Sequence, residues 1–150
     1  MTKDEKYSAL MPRLQGLIGS GDAISDMANV AAALHGEFGF WWTGFYRVMD
    51  GELVLGPFQG PVACTRIAYG RGVCGTAWQR GETVVVPDVE EFPGHIACSS
   101  ESRSEIVVPV MSRGSVVAVL DIDSREPATF DDTDRHWLEL LCANLAENTF

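Results

Sequence analysis

Two apolar runs, EIVVPVM (105–111) and SVVAVLDID (115–123), stand three residues apart around Ser112-Arg113-Gly114. A connection that short admits an antiparallel hairpin and leaves no room for a crossover helix. The rest of the chain has to build on that pair. FWWTGFYRV (40–48), the turn Met49-Asp50-Gly51 and ELVLGPF (52–58) read as a second hairpin, and TVVV (83–86) as a short strand halted by Pro87. Helical spacing brackets this β-rich centre. Tyr7, Leu10, Met11, Leu14, Leu17 and Ile18 step by three and four, as do Ile24, Met27, Ala28, Ala31 and Leu34 after the cap residue Asp22. Leu138, Leu141, Cys142 and Leu145 do the same after Asp131 or Asp132. GVCGTAWQRG (72–81) reads as a short helix closed by Gly81, and residues 59–71 and 87–104 as irregular loops. The order predicts one α+β domain over residues 1–150. A central, mostly antiparallel sheet of about six strands would carry helices on one face and long loops over a pocket on the other. A loop as long as 87–104 in so small a domain is usually functional or disordered.

The formal net charge of -10 argues against nucleic acid and anionic membrane surfaces as partners. It suits a small cationic or zwitterionic ligand, and equally a role in solubility alone. No apolar stretch approaches the length of a membrane span, and the first residues lack the apolar run of a secretory signal. The cytoplasm is the default expectation, where stable disulfides are rare and cysteines tend to be inert, metal-binding or redox-active.

Four cysteines therefore need separate readings. Cys142 falls at core spacing on the last helix and reads as a small apolar residue. Cys64 sits in a Gly/Pro-bounded loop, and Cys74 near a helix N-terminus, where a thiolate is favoured. Cys98 lies in the polar stretch GHIACSSESRSE, with His95 three residues before it and Arg103 five after. Either cation would stabilise a thiolate, which makes Cys98 the leading nucleophile. A zinc site from Cys64, Cys74, His95 and Cys98 is an alternative. It lacks the closely spaced Cys pair usual in structural sites, so no metal is expected. A Cys-His-Asp hydrolase is a weaker alternative, since no oxyanion hole is marked.

Glu105, Asp121 and Asp123 interrupt otherwise apolar strands. A three-residue loop at 112–114 would pair Met111 with Ser115 and Glu105 with Asp121, and Asp123 would share their face. A two-residue loop would instead put Glu105 on the opposite face. Clustered carboxylates would bind a ligand ammonium or keep one member protonated as an acid. The plainer reading is a solvated strand end paired with Arg103 or Arg125.

FWWTGFYRV, GPFQGPVACTRIAYGRGVCGTAW, PDVEEFPGHIACSSESRSEIVVP and LDIDS together resemble the free methionine-(R)-sulfoxide reductases, which are stand-alone GAF domains. The resemblance runs from about residue 20 to the end. It implies a GAF-like fold, no bound cofactor, and thioredoxin-dependent reduction of free L-methionine-(R)-sulfoxide. Cys98 would attack the sulfoxide and become a sulfenic acid, Cys64 would resolve it as a disulfide, and Cys74 would be a second resolver. Glu105, Asp121 and Asp123 would hold the substrate ammonium and polarise the leaving oxygen. Trp42 and Tyr46 would receive the S-methyl group, while strand alternation assigns Trp41 to core packing. By analogy with other GAF domains a homodimer is expected. The rival reading is a stand-alone GAF sensor of a small molecule or of redox state.

Overall fold

The computed structural model describes residues 1–94 and 101–150. In chain order it runs α1 (Lys3–Leu17), α2 (Ala23–Phe38), β1 (Trp42–Met49), β2 (Glu52–Gln59), β3 (Arg66–Ala68), α3 (Gly72–Arg80), β4 (Val84–Val86), a 3₁₀ turn (Val89–Glu91), β5 (Ser104–Ser112), β6 (Ser115–Ser124) and α4 (Asp132–Asn148). The six strands form one sheet in the order β3-β2-β1-β6-β5-β4, with every neighbouring pair antiparallel. β3 lies in a stretch that reads as irregular in the sequence. It has three residues and only Ile67 is buried, too little for a period-two signal.

Both hairpins close on two-residue turns with positive φ at each position: Asp50 and Gly51 at 52° and 80°, Arg113 and Gly114 at 54° and 80°. These are primed turns, whose twist matches that of the strands they join. The expected three-residue loop at 112–114 is thus corrected, because Ser112 pairs with Ser115. Taken alone, the shorter loop would turn Glu105 away from the two aspartates. A bulge prevents this. Met111 pairs with Val116 but Val110 pairs with Ala118, so Val117 is the extra residue. Glu105 then pairs with Asp123, not with Asp121, whose partner is Val107. The three acids end on one face after all.

The sheet separates two cores. On one face Phe45, Ile106, Val108, Val110, Leu120 and Ile122 meet Met27 and Leu34 of α2 and Leu138, Leu141 and Leu145 of α4. Cys142 is buried there, as its spacing implies. Asp134, three residues into the cap of α4, anchors α1 to this layer. Tyr7 Oη donates to its Oδ1 at 2.6 Å and Lys3 Nζ lies 2.7 Å from its Oδ2. On the other face Trp42, Tyr46, Leu53, Val107 and Val119 pack against Ile67, Val73, Cys74, Ala77 and Val89. The helices therefore divide three to one: α3 joins the loops on the second face, and the space left beside it is the pocket.

Gly44 is the position where backbone decides pocket shape. A Cβ there would lie 2.4 Å from Phe58 Cβ and 2.7 Å from the Trp42 ring. We expect Gly44→Ala to cost about 1–3 kcal/mol in urea denaturation through overpacking. Gly36→Ala in α2, with nothing within 4 Å, should gain about 0.5 kcal/mol. Equal effects at the two sites would refute this account of the Trp42 wall.

Candidate functional site

The pocket on the α3 side is a cavity of about 580 Å³, counted with the solvent at its mouth. One wall is aromatic. Trp42 opens β1, and its Nε1 donates to the Pro61 carbonyl at 3.0 Å. Its ring stacks on Phe58 at 5.2 Å and on Tyr46 at 6.0 Å. Gly44 lies between Trp42 and Tyr46 on the same strand face and leaves room for the indole. Tyr46 Oη donates to the Cys64 carbonyl at 2.9 Å, which ties the aromatic wall to the cysteine loop. Burial, helped by the Asp121 charge, pushes its phenol well above the usual range.

The acids lie beside these aromatics on the same sheet face, where Asp123 pairs with Trp42 and Asp121 with Gly44 across β6 and β1. Glu105 and Asp121 are 6% and 5% exposed, so they are not a solvated strand end. The expected pairing with Arg103 or Arg125 is absent among the described residues. Arg125 instead lies 4.5 Å over the Trp41 ring and 3.8 Å from Glu101. Burial, then the Asp121 charge, raises the carboxyls of both Glu105 and Asp123 well above the carboxylate range. Hydrogen bonds divide the pair. Asp123 accepts from Ser102 Oγ at 3.1 Å and from Glu105, and both bonds favour its charged form. The bonds of Glu105 to Asp121 and Asp123 favour its protonated form. These hydrogen bonds reinforce the effect of burial at Glu105 and oppose it at Asp123.

The cysteines fall into different environments. Cys64 is disulfide-bonded, whereas Cys74 and Cys142 are free thiols. Cys98 and His95 lie outside the described residues. The helix N-terminus does not favour a Cys74 thiolate as its sequence position suggests. The side chain is 4% exposed, and burial followed by the Asp121 and Glu105 charges pushes the thiol up. The Cys74 thiol and the Glu105 and Asp121 carboxylates lie within 4.8 Å of one another, close enough to share a metal ion. The zinc alternative drawn from the sequence is not assembled in this state, because a disulfide sulfur is not a thiolate ligand.

Among the acids, aromatics and loop cysteines expected at the site, Trp42, Tyr46, Cys74, Glu105, Asp121 and Asp123 line the cavity. Cys64 lies beside it, next to the lining residue Ala63. Trp41 packs against the core, as expected, but on the cavity face and not the opposite one, and it lines the cavity as well. The strand begins at Trp42, so the alternation that should turn Trp41 away does not reach it. Ser102 and Arg71 are further lining residues that motif reading passed over. Ser102 gives no signal in a serine-rich stretch. Arg71, in the Gly-Arg-Gly that precedes α3, does: Gly70 and Gly72 have φ of 75° and 62°, and the tight turn presents the arginine at the pocket wall.

A family model described as GAF domain matches residues 23–148. The chain is 55% identical over 139 residues to GAF domain-containing protein A of Dictyostelium discoideum, covering 91% of this chain and 88% of that one. It is 44% identical over 147 residues to the free methionine-R-sulfoxide reductase of Escherichia coli, covering 97% and 89%. The free methionine-R-sulfoxide reductase of Neisseria meningitidis, solved in complex with its substrate, superposes with a TM-score of 0.97. It shares 50% identity and covers 99% of this chain and 90% of its own.

The raised carboxyls make a stability prediction with a definite sign. A group whose folded pKa exceeds its unfolded value of 4.5 stabilises fully below that value and loses its contribution as pH rises through the folded pKa. Chemical denaturation should therefore show the protein losing stability as pH rises above about 4.5. Glu105→Gln should flatten that slope. An unchanged slope would mean that Glu105 titrates as it does in water.

Proposed function

Because this chain belongs to the free methionine-R-sulfoxide reductases, a family of GAF-domain oxidoreductases, we propose that it reduces free L-methionine-(R)-sulfoxide to L-methionine with thioredoxin as the electron donor. The observation that carries the reading is the pocket itself. It sets an aromatic surface beside buried carboxyls on one sheet face, with the disulfide-bonded Cys64 alongside. Trp42 and Tyr46 give the S-methyl group an apolar, polarisable surface. Asp121 and Asp123 supply negative charge for the substrate ammonium, a group that a methionine within a peptide lacks. A thioredoxin-dependent cycle suits a reducing compartment such as the cytoplasm.

The reaction follows from these placements. The Cys98 thiolate attacks the sulfoxide sulfur while Glu105 delivers its proton to the oxygen. That proton matters because an unprotonated oxide is a poor leaving group. Oxygen passes to Cys98, which is oxidised by two electrons to the sulfenic acid, and methionine is released as the reduced thioether. The Cys64 thiol then attacks Cys98, water leaves, and a Cys64–Cys98 disulfide forms. Thioredoxin returns both thiols by dithiol–disulfide exchange. Cys74, buried and held protonated, is a reserve resolver and not the first.

A coupled assay of NADPH oxidation with thioredoxin and thioredoxin reductase tests the reading. Turnover is expected with the (R) epimer of the free amino acid and not with the (S) epimer. Cys98→Ser should abolish it. Cys64→Ser should still release about one methionine per enzyme in a single turnover and then recycle slowly, and Cys74→Ser should stay within about twofold of the parent. Asp123→Asn should lower the rate at least about tenfold. An active Cys98→Ser enzyme, or a Cys64→Ser enzyme lacking even its first turnover, would refute the assigned roles.

A further inference from the structure

We propose that Arg71 is a specificity-determining residue that pairs with the α-carboxylate of the substrate, so that the pocket reads both charges of a free amino acid. The proposal rests on the reaction above. Among the described residues that line the cavity, three are acids, Glu105, Asp121 and Asp123, and one is a base, Arg71. The acids come from β5 and β6, whereas Arg71 comes from the residue that precedes α3, so the charges are separated by the element that carries them. A zwitterion likewise carries its two opposite charges on either side of its Cα. With the acids alone, the wall would repel a carboxylate while attracting an ammonium. Arg71 supplies the missing sign, and its planar guanidinium matches a carboxylate with two parallel hydrogen bonds.

Two further facts place this side chain in a receptive state. Arg71 is exposed; its backbone N–H donates to the Ala68 carbonyl, but among the described residues its side chain makes no hydrogen bond or ion pair. Its guanidinium therefore stands more than an ion-pair distance from Glu105, Asp121 and Asp123 and is not consumed by neutralising them. The flanking Gly70 and Gly72, both at positive φ, set Arg71 on the corner of a tight turn while its own backbone is extended at φ -101°. A Cβ at Gly70 would also crowd the Gln79 side chain at 3.1 Å, so the turn is held by packing as well as by its dihedrals.

The test is a cycle of two enzymes against two substrates, L-methionine-(R)-sulfoxide and its α-carboxamide, which keeps the ammonium and loses the negative charge. The wild-type protein should prefer the acid over the amide by about tenfold in kcat/KM. Arg71→Gln should lose about tenfold on the acid, through KM with kcat nearly unchanged, and should change the amide by no more than about twofold. Arg71→Lys, which keeps the charge without the fork, should recover part of the loss. Equal losses on both substrates would make Arg71 a structural residue and overturn the proposal, as would unchanged kinetics on the acid. A wild-type protein inactive on the free (R)-sulfoxide would instead overturn the reaction on which the proposal rests.

Discussion

A carboxyl group taken out of water is stable only if it keeps its proton, finds hydrogen bonds, or meets a positive charge. This fold withdraws Glu105 and Asp121 almost completely and places Asp123 against them. Most features of the site follow from that constraint. The bulge at Val117 is what brings Glu105 to the face of the aspartates. Ser102 donates to Asp123 and so makes the neighbouring acids unlike each other. The result is a cluster of buried carboxyls with raised proton affinity, lying beside the aromatic residues of β1.

The two faces of the sheet divide the work. The face covered by α1, α2 and α4 is a continuous apolar core, fastened by Asp134 between Lys3, Tyr7 and the cap of α4. The opposite face carries the short helix α3, which leaves the cavity beside it. Cys74 and Cys142 illustrate the difference. Both are buried with raised thiols, but Cys142 packs among leucines while Cys74 faces the acids across the pocket. Burial protects a thiol from reaction, which sets Cys74 apart from the half-buried Cys64.

The fold was largely legible in the chain because most of its elements are long and their apolar period is clean. Both hairpins, the three long helices and the short helix closed by Gly81 are all readable from spacing and turn residues. Two things were not. β3 is too short to show a period, and the register of the last hairpin depends on a bulge that no residue type announces. The face of Glu105 was read correctly although its partner was not: the loop is one residue shorter than expected, and Val117 restores the face. Among site residues, the acids stood out because charge in an apolar strand demands a reason. Trp41 and Arg71 did not, because each depends on where an element begins: alternation misplaces Trp41, and Arg71 reaches the wall only through the turn before α3.

The central claim is that buried acids recognise the ammonium of a free amino acid in a pocket beside the reactive loop. Comparing kcat/KM for L-methionine-(R)-sulfoxide and its N-acetyl derivative tests it most directly, since acetylation removes that charge, with the N-methyl derivative, which keeps the charge, as the control for added bulk. The account predicts a loss of about a hundredfold or more on acetylation, because a buried charged partner is left unmatched. Equal turnover of the free and N-acetyl compounds would contradict it.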